Sequence, residues 1–196
     1  MPMPPDIDPH SGFRLPLRKR EELDDAGKRS YDRAMTPGMT IVGLRGPSGI
    51  GLYSTRTVEA HTTINRYLRF DAGFDAKLRE TIILTVAREM DSQFEWAAHE
   101  PEALKEGVAP QIVDVIKHRK STAGLAERDA AIIEFGRELF RTHKVSSATF
   151  ARMRQHFEPN KLVDLVLLMG NYAGTALLLA AFDMQVPDGK PLLPVG

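Results

Sequence analysis

The stretch Arg79–His99, RETIILTVAREMDSQFEWAAH, decides how this chain is read. Together with Asp75–Leu78 just before it, the stretch places Leu78, Ile82, Ile83, Val86 and Met90 at helical spacing on a common face, with Asp75 in the position of an N-cap. A second helix is expected from Ser92. On it Glu95 and His99 are four residues apart, so both project from one face about a turn from each other. A carboxylate beside an imidazole is an acid–base pair, able to hold a proton donor or acceptor near neutral pH. Glu80, on the preceding helix, is placed to complete a cluster across the helix pair. The same residues also fit a plainer pattern: Ser92-Gln93-Phe94-Glu95 is a capping box, in which both side chains only satisfy the helix N-terminus. The catalytic and the capping readings both stay open on sequence.

Working outward, the pattern is helical from Thr55 almost to the end and nowhere shows sustained strand alternation, so the fold class is all-α. Residues 55–70 read as one helix stopped near Gly73. The helix from Ser92 meets Pro101 after two turns, where a kink or short break is expected. Pro110 suits a first helical position. Further helices follow in LAERDAAIIEFGRELFRTH, SSATFARMRQHF and the long run from Pro159. Upstream, residues 21–35 look helical, and four glycines and a proline within residues 43–51 mark a long loop. Residues 1–20, with five prolines, suit an extended arm; residues 21–196 then form a single helical domain. The apolar run Leu162–Phe182 has the length of a membrane span. Asp164, Asn171 and Thr175 interrupt it, so a core or subunit-interface helix is expected and no membrane partner.

Lys plus Arg and Asp plus Glu are 26 each, so no net field draws the protein to nucleic acid, and a small-molecule substrate is the expected partner. The chain has no cysteine, which removes disulfides, thiolate ligands and thiol nucleophiles. The Pro-rich, then basic N-terminus lacks the apolar core of a secretory signal, and a cytoplasmic location is expected. Two groups at i and i+4 with a third carboxylate also suit a metal, but there is no HExxH and no further His close by, so no metal is assigned. Trp96, the only tryptophan, is a candidate for the core or for a pocket wall.

The segment LRETIILTVAREMDSQFEWAAHEPEALKEGVAPQIVDVI resembles the core of the carboxymuconolactone decarboxylase family within the AhpD-like superfamily. Its flanks, from GLRGPSGIGLYSTRTVEAHTTINRYLRF to the C-terminal helix, extend the resemblance over about residues 40–194. The resemblance implies an AhpD-like helical bundle, assembled as a homotrimer or homohexamer, working without a cofactor. The redox branch of that superfamily carries Glu-x11-Cys-x-x-Cys-x-x-x-His. On this chain its Glu and His fall on Glu80 and His99, while the cysteine positions hold Ser92 and Glu95. A serine hydroxyl forms neither disulfide nor sulfenate, so cysteine-based peroxidase activity is not expected. What the resemblance then implies is a carboxy-lyase acting on a carboxymuconolactone-like cyclic acid. In that reading His99 donates the proton, Glu95 orients it or is itself the acid or base, and Glu80 stands behind them. Arg45 would hold the substrate carboxylate, with His61, Trp96 and Ser92 also contacting substrate. Two alternatives keep the fold: a hydrolase or isomerase of a small carbonyl compound, and a non-catalytic ligand-binding relic.

Overall fold

A computed structural model of the chain describes residues 3–194, and among these every regular element is a helix. They divide into two compact units. One comprises the residues up to Arg66 together with Leu177–Pro187; the other comprises Tyr67–Ala176 with the residues from Asp188 on.

In the first unit, α1 (Asp25–Met35), α2 (Pro47–Gly51) and α3 (Thr55–Arg66) surround a small core of Leu23, Ala34, Leu44 and Leu52. Asp24 caps α1 by accepting from the Gly27 amide, and its other oxygen accepts from Thr55 on α3. The glycine-rich stretch expected as a loop folds into α2. Its Gly49 lies so close to the Leu44 carbonyl that a Cβ would sit 2.0 Å from that oxygen, so only glycine fits. Of residues 1–20, expected as an extended arm, residues 1 and 2 lie outside the described residues, and residues 3–20 instead pack into this unit. Phe13 is fully buried, Asp8 accepts from the amides of His10 and Ser11 to close a turn, and the Arg14 amide donates to the Phe182 carbonyl. Prolines limit helix formation, but they do not prevent an apolar side chain such as Phe13 from being buried.

The second unit is built on α4 (Ala76–Glu89), with α5 (Gln93–Lys105) and α7 (Glu127–Thr142) packed against it and α6 (Pro110–Lys117), α8 (Ser147–Arg154) and, up to Ala176, α9 (Pro159–Ala181) completing the set. Asp75 caps α4, its side chain accepting from Leu78 N at 2.7 Å. Ile82, Ile83 and Val86 are fully buried against Ile132, Phe135, Leu165 and Met169, while Leu84 and Ala87 face a second cluster with Trp96, Ile112 and Ile116. Burying each such large aliphatic side chain contributes roughly 1.5–3 kcal/mol, so α4 is held by packing on nearly all sides. Glycine lets α7 approach: a Cβ on Gly136 would lie 2.5 Å from Thr85 Cγ2.

The structure modifies two local expectations. The helix of α5 runs unbroken through Pro101, because Pro101 faces solvent while Ala103 just beyond it is fully buried and anchors the last turn. The helix expected over residues 55–70 changes character after Arg66, where Tyr67–Asp71 form a π-helical turn. The long helix α9 is apolar enough to cross a membrane by length and composition, with mean hydropathy 1.7, but it is sided: Leu165, Leu168, Met169 and Tyr172 are buried, whereas Val163, Leu167, Gly170 and Gly174 are exposed.

Candidate active site

Glu80 projects from the second turn of α4, and Glu95 and His99 from successive turns of α5; all three are buried, at 1%, 5% and 5% exposure. The helix pair brings them together, but not in the pairing that spacing suggests. His99 Nδ1 lies 2.8 Å from Glu80 Oε2, so the partner that orients the imidazole is Glu80, across the helix interface, and not Glu95 on its own helix. A carboxylate only accepts, so Nδ1 carries the hydrogen and Nε2 is left for chemistry. The edge of the His99 ring meets Tyr172 of α9, with centroids 5.3 Å apart and planes at 83°.

Glu80 is further held by Arg79, whose Nε lies 3.3 Å from Glu80 Oε1. Burial by itself would raise the Glu80 pKa. The hydrogen bond from His99 and the charges of His99, Arg69 and Arg79 outweigh it, so Glu80 stays below its ordinary value and is ionised at neutral pH.

Glu95 is the opposite case. Burial pushes its pKa up to about 8, the nearby charge of Arg69 only partly offsetting this and that of Glu80 adding to it. Its Oε2 is buried and has no hydrogen-bond partner. Near pH 7 this is a neutral carboxylic acid with a proton to give. The capping alternative fails at the same residues: Ser92 is the N-cap of α5, yet its side chain makes no cap hydrogen bond, and Glu95 is turned into the interior. The capping-box sequence is present, but burying the Glu95 side chain takes it away from the amides it would have served.

The remaining sequence candidates lie elsewhere. Trp96 is fully buried among Leu84, Ala103 and Ile116, with Nε1 donating to Glu100 Oε2 at 2.8 Å and Lys117 above the ring, which makes it a core residue and not a pocket wall. Ser92 is half-buried at the start of α5. Arg45 and His61 belong to the first unit, both at exposed positions, Arg45 beside Gly12 and Met184 and His61 on α3.

Three residues of the site escaped the sequence reading: Arg69, Arg79 and Tyr172. Arg69 sits in the π-helical turn, a geometry that often marks functional positions, and both Arg69 and Arg79 stack over the Phe70 ring at 5.1 and 5.4 Å. The adjacency of Arg79 to Glu80 was the one available signal, since nothing local announces a π-turn or the inward aim of Tyr172. Among the described residues no group of three or more His, Cys, Asp or Glu is arranged to hold a metal.

Residues 56–134 match the model of the carboxymuconolactone decarboxylase family. Two solved structures are similar. A protein of unknown function from Agrobacterium tumefaciens is 16% identical, with a TM-score of 0.64 over 70% of this chain and 94% of that one. An uncharacterized peroxidase-related protein with an alkylhydroperoxidase AhpD core, from Ralstonia eutropha JMP134, is 18% identical, with a TM-score of 0.73 over 90% and 93% of the two chains. At these identities the likeness shows an AhpD-like fold. No curated protein matches the chain.

Proposed function

For this cysteine-free member of the carboxymuconolactone decarboxylase family, we propose a cofactor-independent carboxy-lyase that acts on a carboxymuconolactone-like cyclic acid. The observation that carries the reading is the split between two buried carboxyl groups, with Glu80 ionised against His99 and Glu95 neutral beside them. Environments that push two acids apart assign their roles.

In the reaction the bond to the departing carboxylate breaks, its electrons pass into the conjugated lactone carbonyl as carbon dioxide leaves, and the resulting enolate takes a proton at carbon. Glu95 supplies that proton. His99, one helical turn away and held by Glu80, returns a proton from solvent to the Glu95 carboxylate. Of the two roles that the sequence left open for Glu95, orienting partner or acid–base group, this takes the second, and it moves His99 from donor to the group that restores the proton. A hydrolase or isomerase would use Glu95 as a base, which its neutral state at pH 7 disfavours. Reduction of peroxide through a disulfide is closed to a chain without cysteine.

The test is carbon dioxide release from γ-carboxymuconolactone by the purified protein and by Glu95→Gln, His99→Ala and Glu80→Gln. The reading expects release that the first two variants abolish and the third reduces. Unchanged release from Glu95→Gln would overturn the assignment. The exposed apolar side of α9, with Val163, Leu167, Gly170, Gly174 and Leu177, supports assembly as a homotrimer or homohexamer. A monomeric mass by analytical ultracentrifugation would overturn that part.

A further inference from the structure

The site holds a cation that its own acids leave uncommitted. Of the charges acting on Glu95, that of Glu80 is already engaged by His99 at 2.8 Å and Arg79 at 3.3 Å, and Glu95 itself is neutral near pH 7. Arg69 remains. It is tied to the cluster through Arg79, which donates from Nη1 to the Arg69 carbonyl at 3.1 Å and from Nε to Glu80 Oε1 at 3.3 Å, and its charge acts on Glu80, Glu95 and Tyr172, yet its Nε is buried and has no hydrogen-bond partner among the described residues. A buried guanidinium donor without an acceptor is destabilising, a penalty that an anionic ligand relieves.

The position is also fixed in advance. Arg69 lies in the π-helical turn, its backbone carbonyl accepts from Arg79 Nη1 at 3.1 Å, and its guanidinium rests over Phe70, which is 58% exposed. Stacking on Phe70 holds the guanidinium plane and leaves its in-plane N–H donors directed away from the ring. The Nε edge of an arginine offers two parallel N–H donors, a geometry that matches the two oxygens of a carboxylate.

Resting on the acid–base reading above, we propose that Arg69 is the anchor for the substrate's carboxylate, holding it beside Glu95 and His99 through the Nε edge of its guanidinium. This moves the role expected of Arg45 to a residue in the same unit as the acid–base cluster. The anchor also has an electrostatic consequence: a bound carboxylate neutralises the one charge that draws the Glu95 pKa down, so binding favours the protonated acid that the reaction needs.

The experiment measures binding apart from turnover. The probe is 5-oxotetrahydrofuran-2-carboxylate, a saturated lactone acid with no conjugated carbonyl to receive electrons, and its methyl ester is the neutral control. Calorimetric titration of the wild type should show binding of the acid and none of the ester. Arg69→Met should weaken the acid at least about tenfold, Arg69→Lys should weaken it less, and Arg45→Met should leave it within about twofold. Circular dichroism checks that each variant is folded, and Arg69→Lys carries the test if Arg69→Met is not. Equal binding of acid and ester, no binding by the wild type, or loss in Arg45→Met with Arg69→Met unchanged would each overturn the anchor. Carboxylate binding that depends on Arg69, in a protein that releases no carbon dioxide from γ-carboxymuconolactone, would overturn the reaction and leave the anchor standing.

Discussion

The two ends of α4 bury glutamates in opposite ways. At its C-terminal end the Glu89 side chain is 2% exposed and fully engaged: Arg141 grips both oxygens at 2.6 and 2.8 Å, and Arg119 approaches to 3.6 Å. Arg119 also donates to the Arg88 carbonyl, and Arg88 pairs with Asp91, so these cations close off the end of the helix. Toward the N-terminal end, Glu80 is paired in a similar manner, but the neighbouring Glu95 is buried with an oxygen that nothing satisfies. A matched carboxylate contributes to the fold. An unmatched one destabilises the fold, and it is at this position that the proposed reaction places its acid.

The comparison is broken most directly by turnover. Glu95→Gln and His99→Ala are expected to lose roughly 10²–10⁴ in kcat/KM, the scale of general acid–base catalysis, while Glu89→Gln keeps the activity of its folded fraction. Activity that survives Glu95→Gln but not Glu89→Gln would invert the assignment of the two ends.

The next effect is on stability against pH. Unfolded Glu95 titrates near 4.5 and folded Glu95 near about 8, so between these values the unfolded chain binds fewer protons and stability falls as pH rises. The loss across that window is on the order of 4 kcal/mol, and it should vanish in Glu95→Gln. Glu80 has the other sign: its folded pKa is lowered, so its contribution is present above its unfolded value and is lost as pH falls through the folded one. Urea denaturation at pH 5 and pH 8 measures the Glu95 effect, and the same experiment taken below pH 4.5 measures that of Glu80. Equal stability of the wild type at the two pH values would remove the case for a neutral Glu95.

A smaller effect is expected at the other end. Glu89→Gln should destabilise by about 2–3 kcal/mol, less than the roughly 3–5 of a fully buried pair because the Arg141 side chain is 48% exposed. The smallest contrast lies in the two helix starts. Asp75→Ala removes an observed cap and should cost about 1 kcal/mol, whereas Ser92→Ala removes none and should fall within about 0.5 kcal/mol of the wild type. Equal losses in chemical denaturation would restore the capping box at Ser92.

Much of the fold was legible in the chain because helices are written locally. The spacing of Leu78, Ile82, Ile83 and Val86, the cap at Asp75 and the proline at Pro110 placed α4 and α6 without reference to anything distant. Departures occurred where local signals compete with packing: the N-terminal prolines did not keep Phe13 from being buried, and Pro101 did not break a helix whose last turn was anchored by Ala103. In the site, Glu80, Glu95 and His99 were visible as residues, but their roles were not. Arg69 and Tyr172 were invisible, being set by a π-turn and by a helix far along the chain.

The sequence by itself determined that the chain folds as helices, that it carries no thiol, and that Glu95 and His99 share a face of one helix. Only the tertiary structure decided that His99 pairs with Glu80, that Glu95 stays neutral with an unpartnered oxygen, that the Ser92 side chain caps nothing, and that the Arg69 Nε is buried without a partner. The physical reason is that periodicity reports which residues share a face of a helix, whereas pairing and pKa depend on how each helix is rotated against its neighbours and on how much water that packing excludes.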